Sequence, residues 1–214
     1  MITLETRIVA FVDLLGYKEM VIHDSEAAAG ANQYVDKLYK ISKQVKGMVD
    51  PAIDLKFFSD CVVLSTAPVF ASFQKICKAC RDLQSQFLAE SILVRGGISF
   101  GKHFSDADFL FSRGLVDAYL LEVEKARTPR IIVSPDLMDL FQEHATNFLV
   151  RERDGLAFVD YLDPEDRNQI EIAQSLIDRG IGNPILAEKL IWLGEYVNFR
   201  FGTASIKLAD RFSS

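Results

Sequence analysis

The chain has 214 residues, 49% of them hydrophobic, with a net charge of -6 and a pI near 5.1. These values suit one ordinary domain with an appendage, and the acidic balance argues against coating nucleic acid, which depends on clustered Lys and Arg. We find no apolar run long enough to span a membrane and no basic N-terminal segment before a signal core, so we expect a cytoplasmic protein without nucleic-acid or membrane partners.

The first predicted strand ends in one acid and one glycine. Residues 8–14 are uncharged apart from Asp13, and their β-branched and aromatic side chains predict a strand that is buried on both faces. A carboxylate is costly there unless a cation, a metal or several hydrogen bonds compensate for its burial. Gly16 permits a tight turn, so the N–H groups of Tyr17 and Lys18 at the following helix start could face an anion. The pattern indicates a place for a metal with a phosphate.

The rest of the first 162 residues alternates between helices and strands. We predict an amphipathic helix over 25–47, a hairpin of strands 53–58 and 61–65, a helix over 70–88, a strand over 92–102, a helix over 114–126, a strand over 129–134, a helix from Pro135, and strands over 148–151 and 156–161. Three glycines in the strand over 92–102 suggest that another backbone or a ligand approaches it closely. This order predicts an α+β fold of the ferredoxin-like kind, with helices on one face of a mostly antiparallel sheet.

Beyond Pro164 the pattern becomes purely helical. Apolar residues recur at helical spacing over residues 169–178 and 184–199, which predicts a helical hairpin packed on the sheet domain or on a second copy of it. The predicted division is a domain over residues 1–162 and a helical C-terminal extension over residues 163–214.

Two acids follow strands that are otherwise apolar, Asp13 after the first strand and Asp60 at the hairpin turn. In a split β-α-β arrangement these strands lie side by side, so their adjoining ends would bring both carboxylates to one spot. Such a pair repels itself unless a divalent cation intervenes, which indicates a Mg²⁺ or Mn²⁺ site. The alternative is that Asp13 caps the following helix and Asp60 makes the turn. Spacing alone does not decide between them.

Four segments resemble motifs of class III nucleotidyl cyclases, the catalytic domain of adenylate and guanylate cyclases. Phe11-Val-Asp-Leu-Leu-Gly-Tyr17 resembles the motif F-x-D-[IL]-x-G-[FS], and Lys56-Phe-Phe-Ser-Asp60 resembles K-x-x-G-D. Arg95-Gly-Gly-Ile-Ser-Phe-Gly101 is similar to the strand R-x-G-I-x-x-G, and residues 114–134 resemble the helix A-x-x-L-E with its ensuing strand. The resemblance covers about residues 7–161, and the order of the four motifs is more specific than any one of them.

The resemblance implies roles for individual residues. Asp13 and Asp60 would bind two Mg²⁺ or Mn²⁺ ions, with the carbonyl of Leu14 as a further ligand. One ion would activate the ribose 3′-hydroxyl and the other would hold the triphosphate. Lys56 matches the position that reads the base in purine cyclases, and Lys102 falls where the family often places a phosphate-binding cation. For both lysines the alternative is a solvated charge at a strand end.

The chain departs from the family where the transition state is stabilised. Val116 and Leu120 occupy the positions of an asparagine and an arginine, and the loss of such a donor typically costs ~10²–10³ in rate. Arg113, one turn away, is the candidate to replace them as a catalytic residue. Ser59 replaces the family's glycine before the second acid. Phe109 falls at the second position that reads a purine base, so the sequence does not identify the base of the substrate.

Three functions follow from these observations. The first is a homodimeric cyclase of bacterial signalling, in which residues 1–162 convert a nucleoside triphosphate to a 3′,5′-cyclic monophosphate that is read by a downstream effector. The chain also resembles the uridylate and cytidylate cyclases of anti-phage signalling, which implies antiviral defence as a role. The second is a catalytically degenerate module that binds nucleotide and metal and regulates a partner. The third is an interaction protein in which residues 163–214 dock another chain.

Overall fold

The computed structural model describes residues 2–141, 147–202 and 204–208. Residue 203 and residues 209–214 of the predicted C-terminal extension lie outside the described residues. In chain order the elements are β1 (Glu5–Leu14), α1 (Tyr17–Glu26), α2 (Tyr34–Met48), β2 (Asp54–Phe58), β3 (Cys61–Thr66), α3 (Phe70–Ala89), β4 (Val94–Ser105), β5 (Leu110–Ser112), α4 (Arg113–Lys125), β6 (Ile131–Val133), α5 (Pro135–Leu140), β7 (Leu149–Arg151), β8 (Ala157–Val159), α6 (Asn168–Gly180) and α7 (Pro184–Phe201). No helix among the described residues is long and apolar enough to cross a bilayer.

The strands form an eight-stranded sheet in the order β2-β3-β1-β4-β6-β8-β7, with β5 paired to β4. Among these pairs β4 and β6 run parallel and the others run antiparallel. The predicted α+β class with a mostly antiparallel sheet is therefore confirmed. The register places β1 between β3 and β4, so the strand that ends with Asp13 lies next to the strand that begins directly after Asp60.

Local capping explains where several helices begin. The side chains of Ser112, Ser134 and Asn183 accept hydrogen bonds from N–H groups in the first turns of α4, α5 and α7. Proline follows directly in α5 and α7, where its missing N–H costs nothing. These starts follow from residue type alone.

The helices lie on both faces of the sheet, which corrects the prediction that they share one face. The even-numbered residues of the 8–14 segment join a buried cluster with α3. On the opposite face Phe11 meets Tyr119 of α4 edge to face, with ring centroids 5.5 Å apart. The sequence does not reveal this second covering helix, because a strand buried on both faces carries no apolar and polar alternation.

Close approach of α4 explains two of the three glycines of β4. A Cβ atom at Gly97 would lie 2.3 Å from the carbonyl oxygen of Ala118, and one at Gly101 would lie 2.8 Å from the backbone nitrogen of Gly114. A side chain at either position would push α4 off the sheet. The predicted close approach is confirmed, and the approaching group is a backbone.

The predicted helix over residues 25–47 is wrong in its first part. Two helices, α1 and α2, are separated by a loop over residues 27–33, in which Gly30 has a φ of 83°. The Asp24 carboxylate accepts hydrogen bonds of 2.8 to 3.1 Å from the N–H groups of residues 33–35 and fixes the start of α2. Desolvation alone would raise the pKa of Asp24, but these hydrogen bonds and one with His23 outweigh it and lower the pKa to about 2. This nonlocal cap has no sequence signature.

The helices α6 and α7 form the predicted helical hairpin and pack on the same sheet face as α4. Register links Gly97 to Ile132 and Ile132 to Phe158, so these three residues share a face. The Phe158 ring lies 5.5 Å from Trp192 and 5.2 Å from Tyr196, measured between ring centroids. The helical hairpin therefore covers β6 and β8. The division into residues 1–162 and 163–214 stays a prediction.

A buried polar network joins α7 to the chain after β8. The Tyr196 hydroxyl donates a hydrogen bond to Asp160 and accepts one of 3.0 Å from the N–H of Tyr161. Arg200 lies 3.1 Å from the same Asp160 carboxylate. These partners satisfy polar groups that would otherwise be buried at a cost.

Candidate metal centre

Asp13 and Asp60 lie together at one end of the sheet. Asp60 sits in the turn between β2 and β3, directly before Cys61, which is the register partner of Asp13. The N–H of Leu14 donates a 3.0 Å hydrogen bond to the carbonyl oxygen of Asp60, which ties the end of β1 to the turn. Three ligand atoms, one each from Asp13, Asp60 and Cys61, all lie within 4.8 Å of one another. Two carboxylates from distant parts of the chain thus face one small volume.

The turn that carries Asp60 contains a residue in the left-handed region. Ser59 has a φ of 53°, a conformation that glycine adopts freely and other residues adopt at a cost of about 1 kcal/mol. This conformation explains why the resembling motif has glycine at this position. Ser59 keeps the turn and therefore keeps Asp60 beside β1.

The alternative role of Asp13 as a helix cap is wrong. The N-cap position of α1 is Gly16, with a φ of 80°, and no side chain makes a capping hydrogen bond there. Tyr17 and Lys18 open α1 directly after the strand end that carries the acids. The carboxylate of Asp13 is therefore not used as a helix cap, and the N–H groups of the first turn lie close to it in the chain.

An ion-pair cluster lies beside Asp13. Arg95 is its register partner on β4, and the Arg95 Nε lies 3.2 Å from Asp13 Oδ2 and 2.6 Å from Glu122 Oε1. Glu122 projects from the inner face of α4 and is only 2% exposed. The motifs include both residues but do not reveal their place beside Asp13. Two features of the sequence could have indicated this ion pair. Arg95 is a cation at the start of an apolar strand, and Glu122 is an acid on the apolar side of a helix.

The electrostatics of the cluster favour proton uptake in the absence of a metal. Burial raises the pKa of Asp13, with a further contribution from Asp60, although Arg95 lowers it. Burial likewise raises the pKa of Glu122 against the opposing effect of Arg95. Burial and the hydrogen bond to Asp60 raise the pKa of Cys61 to about 12. Binding of a cation at these carboxylates competes with their protonation, so its affinity should fall on acidification.

We expect Glu122→Gln to leave the free energy of unfolding at neutral pH unchanged or to raise it by about 1 kcal/mol, because Arg95 keeps Asp13 as a partner. The folded pKa of Glu122 lies above its unfolded value, so its contribution to stability is full at low pH and declines as the pH rises through the folded pKa. The stability gained by Glu122→Gln should therefore vanish below the pKa of Glu122 in the unfolded chain, about 4.3, and become constant above the pKa of Glu122 in the folded protein.

Urea denaturation across this pH range measures the effect. Glu124→Gln on the same helix is the matched control, because Glu124 is exposed and should show no such pH dependence. A Glu122→Gln variant that is less stable at neutral pH, with a loss that shrinks on acidification, would show that the ion pair outweighs the burial of the charge.

The structure does not bring the predicted cations to the acid pair within one chain. Lys56 on β2 donates from its Nζ to the carbonyl oxygen of Asp106. Lys102 is exposed, seven residues along β4 from Arg95 and on the opposite face of the sheet. The Arg113 side chain is 73% exposed, and its Nε lies 2.8 Å from both carboxylate oxygens of Asp117.

The outward side of α4 is apolar and exposed. Val116 and Leu120, at the positions of the family's asparagine and arginine, are 51% and 43% exposed, and Tyr119 and Val123 are both 48% exposed. Since Glu122 on the inner face of the same helix contacts Arg95, the outward side points away from the acids of its own chain. Any role of these positions at an acid pair requires a second chain.

The donor set fits a hard divalent cation. Carboxylate and carbonyl oxygens suit Mg²⁺ and Mn²⁺. The Asp13 side chain is 19% exposed, so the carboxylate can be reached from solvent. Asp13, Asp60 and the Leu14 carbonyl are the groups that could hold such an ion.

No protein-family model and no characterised protein sequence matches the chain. Several solved structures do match it. The adenylyl cyclase CyaB from P. aeruginosa matches at 17% identity over 75% of this chain and 96% of that chain, with a TM-score of 0.50. The dimeric guanylyl cyclase domain of the RhoGC fusion protein from Blastocladiella emersonii matches at 15% identity over 72% and 93%, with a TM-score of 0.51.

A third match is the catalytic core of a rhodopsin-guanylyl cyclase with converted specificity, in complex with ATPalphaS, at 15% identity over 73% of this chain and 95% of that chain, with a TM-score of 0.52. At such identities these likenesses show the fold alone. The chain therefore has the fold of a nucleotidyl cyclase catalytic domain. The resemblance to class III cyclases that the four motifs carry is confirmed at the level of this fold.

Proposed function

We propose that this protein is a metal-dependent nucleotidyl cyclase, which converts a nucleoside triphosphate to a 3′,5′-cyclic monophosphate and pyrophosphate. The observation that carries the proposal is the meeting of Asp13 and Asp60 at the end of a sheet with the cyclase fold. Both acids belong to the motifs that resemble the metal-binding motifs of class III cyclases. Their adjacency is what a shared divalent cation requires.

The chain's own residues prepare the site. Asp13, Asp60 and the Leu14 carbonyl would hold Mg²⁺ or Mn²⁺ ions, which supply the charge that activates the ribose 3′-hydroxyl and binds the triphosphate. Arg95 holds Asp13 in place from the side of β4, and Glu122 orients Arg95. In the reaction the 3′-hydroxyl loses its proton to solvent, its oxygen bonds to the α-phosphorus, and the bond from that phosphorus to the pyrophosphate oxygen breaks.

Several predicted substrate contacts would come from the start of α1 and from a second chain. The N–H groups of Tyr17 and Lys18, in the first turn of α1, would bind phosphate oxygens with help from the helix dipole. Because Lys56, Lys102 and Arg113 do not reach the acids of their own chain, we assign them to a homodimer in which one chain acts on the acids of the other.

The exposed apolar side of α4 supports this homodimer. A helix that leaves four adjacent apolar side chains about half exposed has a surface that another chain can cover, here formed by Val116, Tyr119, Leu120 and Val123. The RhoGC guanylyl cyclase domain, which has a similar fold, is a non-canonical dimer in one structure and a monomer in another. A cyclic product would act through a downstream effector of bacterial signalling, and a pyrimidine product would fit antiviral defence.

We expect purified protein with Mn²⁺ to release pyrophosphate and a cyclic monophosphate from at least one of ATP, GTP, CTP and UTP. Chromatography of the products identifies which base the protein accepts, since the residues at the two base-reading positions, Lys56 and Phe109, do not determine it. The control is the same incubation with excess chelator, which should give no product. Lack of turnover with all four nucleotides would remove the enzyme proposal.

The second candidate is a degenerate module that binds a metal and a nucleotide without turnover. The apolar side chains of Val116 and Leu120 favour it, because neither can donate a hydrogen bond to developing charge. In that case a nucleotide with Mn²⁺ raises the melting temperature through binding to the folded state, while no pyrophosphate appears. The same samples thus distinguish the two candidates.

A further inference from the structure

Cys61 adds a soft donor to the acid pair. Its Sγ is one of the three ligand atoms that lie within 4.8 Å of one another, and it donates a 3.3 Å hydrogen bond to Asp60 Oδ1. Cross-strand pairing fixes Cys61 opposite Asp13, so the backbone places the thiol here. All three residues are partly exposed, which leaves a route for an ion.

We propose that Asp13, Asp60 and Cys61 form a binding site for a thiophilic divalent cation such as Zn²⁺ or Cd²⁺, held by two carboxylate oxygens and one thiolate. The proposal shares its acids with the proposed function but extends the ligands and the class of ion. It does not require the protein to turn over a nucleotide.

The chemistry of the donors selects the ion. Mg²⁺ takes oxygen ligands and avoids sulfur, whereas Zn²⁺ and Cd²⁺ bind thiolates readily. On binding, the S–H bond of Cys61 breaks, its proton passes to solvent, and a sulfur–metal bond forms without any change of oxidation state. Zinc sites have metal–sulfur bonds of about 2.3 Å and metal–oxygen bonds of about 2.1 Å.

Those bond lengths place the ligand atoms of one ion less than about 4.5 Å apart. Small side-chain rotations therefore suffice to close the triangle that the structure already shows. Three protein ligands leave a fourth position open to water or to a substrate oxygen. A thiophilic ion would occupy the volume in which Mg²⁺ or Mn²⁺ is proposed to work, so we expect Zn²⁺ to inhibit turnover in competition with Mn²⁺.

Cadmium titration followed by ultraviolet absorption tests the site in the full-length protein. Sulfur–cadmium charge transfer reports the thiolate directly, and Cys77 and Cys80 are fully buried in α3, so the signal can be assigned to Cys61. We expect one equivalent of Cd²⁺ to produce the band in the wild-type protein. Absence of the band at saturating Cd²⁺ would overturn the proposal.

Two variants assign the ligands. Cys61→Ser keeps the size and the hydrogen bond to Asp60, and it should lose the band and bind Cd²⁺ at least about tenfold more weakly. Asp60→Asn keeps the thiol and the side-chain shape, and it should also bind at least about tenfold more weakly. A band that persists in Cys61→Ser, or unchanged affinity in Asp60→Asn, would show adventitious binding and reject the site. Circular dichroism confirms that each variant is folded.

Failure of this proposal can be told apart from failure of the proposed function. The absorption band is measured without nucleotide, so it supports the three-ligand site even if no nucleotide is turned over. Conversely, turnover with Mn²⁺ in a protein that gives no cadmium band rejects the Cys61 ligand and leaves the cyclase proposal intact.

Discussion

Asp13→Ala is expected to abolish nucleotide turnover, with a fall in kcat/KM of at least about 10³-fold. The substitution removes one of the two carboxylates that meet at the end of the sheet, and the remaining Asp60 offers too few ligands for a tightly held ion. Pyrophosphate release with Mn²⁺ measures the loss, using whichever nucleotide the wild-type protein converts. Asp13→Asn should lose activity to a similar degree, because it keeps the shape but removes the charge.

The expected loss is one of chemistry and not of folding. The pKa of Asp13 is raised by burial, so its charge does not stabilise the folded chain. Arg95 keeps Glu122 at 2.6 Å when Asp13 is removed, and no cation is left unpaired. We therefore expect the free energy of unfolding to change by no more than about 1 kcal/mol.

A matched control separates the acid pair from general loss of negative charge. Asp54 is an exposed acid at the start of β2, and Asp54→Asn should keep both stability and turnover. Substantial turnover in Asp13→Ala, with the control unaffected, would mean that the acid pair is not the catalytic centre. The cyclase proposal would then have lost the observation that carries it.

The meeting of Asp13 and Asp60 could be predicted from the sequence because all but one of the steps that lead to it are local. Each acid follows a segment whose residues favour strand, and hairpin connection makes β2 and β3 neighbours. One further assumption, that β1 pairs with β3, brings the two strand ends together, and the structure shows this pairing. The pairing of β1 with β3 is therefore the one nonlocal contact on which the acid pair depends.

The remainder of the site depends on nonlocal geometry. Arg95 meets Asp13 through the pairing of β1 with β4, and it meets Glu122 because Gly97 and Gly101 let α4 lie close to the same face of the sheet. A strand that is apolar on both sides does not show which helix covers which side. Arg113 and Val116 are both exposed on α4, and the sequence of one chain does not show what covers them.

The C-terminal helices lead to the second large expected effect. Deleting residues 163–214 should leave a chain that is not stably folded, because α6 and α7 cover the part of the sheet formed by β6 and β8. Phe158 would lose its contacts with Trp192 and Tyr196. Full exposure of one large apolar side chain costs about 1.5–3 kcal/mol, so a few such losses approach the total stability of a small domain, about 5–15 kcal/mol.

The deletion also removes hydrogen-bond partners from the strand end. The buried Asp160 carboxylate would lose Tyr196 and Arg200, and the N–H group of Tyr161 would lose the Tyr196 hydroxyl. Unpaired buried polar groups cost about 1–3 kcal/mol each, unless water reaches them. Circular dichroism and urea denaturation of residues 1–162 measure the outcome, and we expect a poorly cooperative transition or insoluble protein.

Two point variants test the same packing without truncation. Leu193 is fully buried on α7, and Leu193→Ala should lower the free energy of unfolding by about 2–5 kcal/mol. Ile185 on the same helix is 77% exposed, and Ile185→Ala should change it by less than about 0.5 kcal/mol. If α7 were a detachable arm that docks another chain, residues 1–162 would unfold cooperatively at near wild-type urea concentration and Leu193→Ala would cost little. Such results would favour the interaction protein, because a surface that is free to dock a partner cannot also be the cover of β6 and β8.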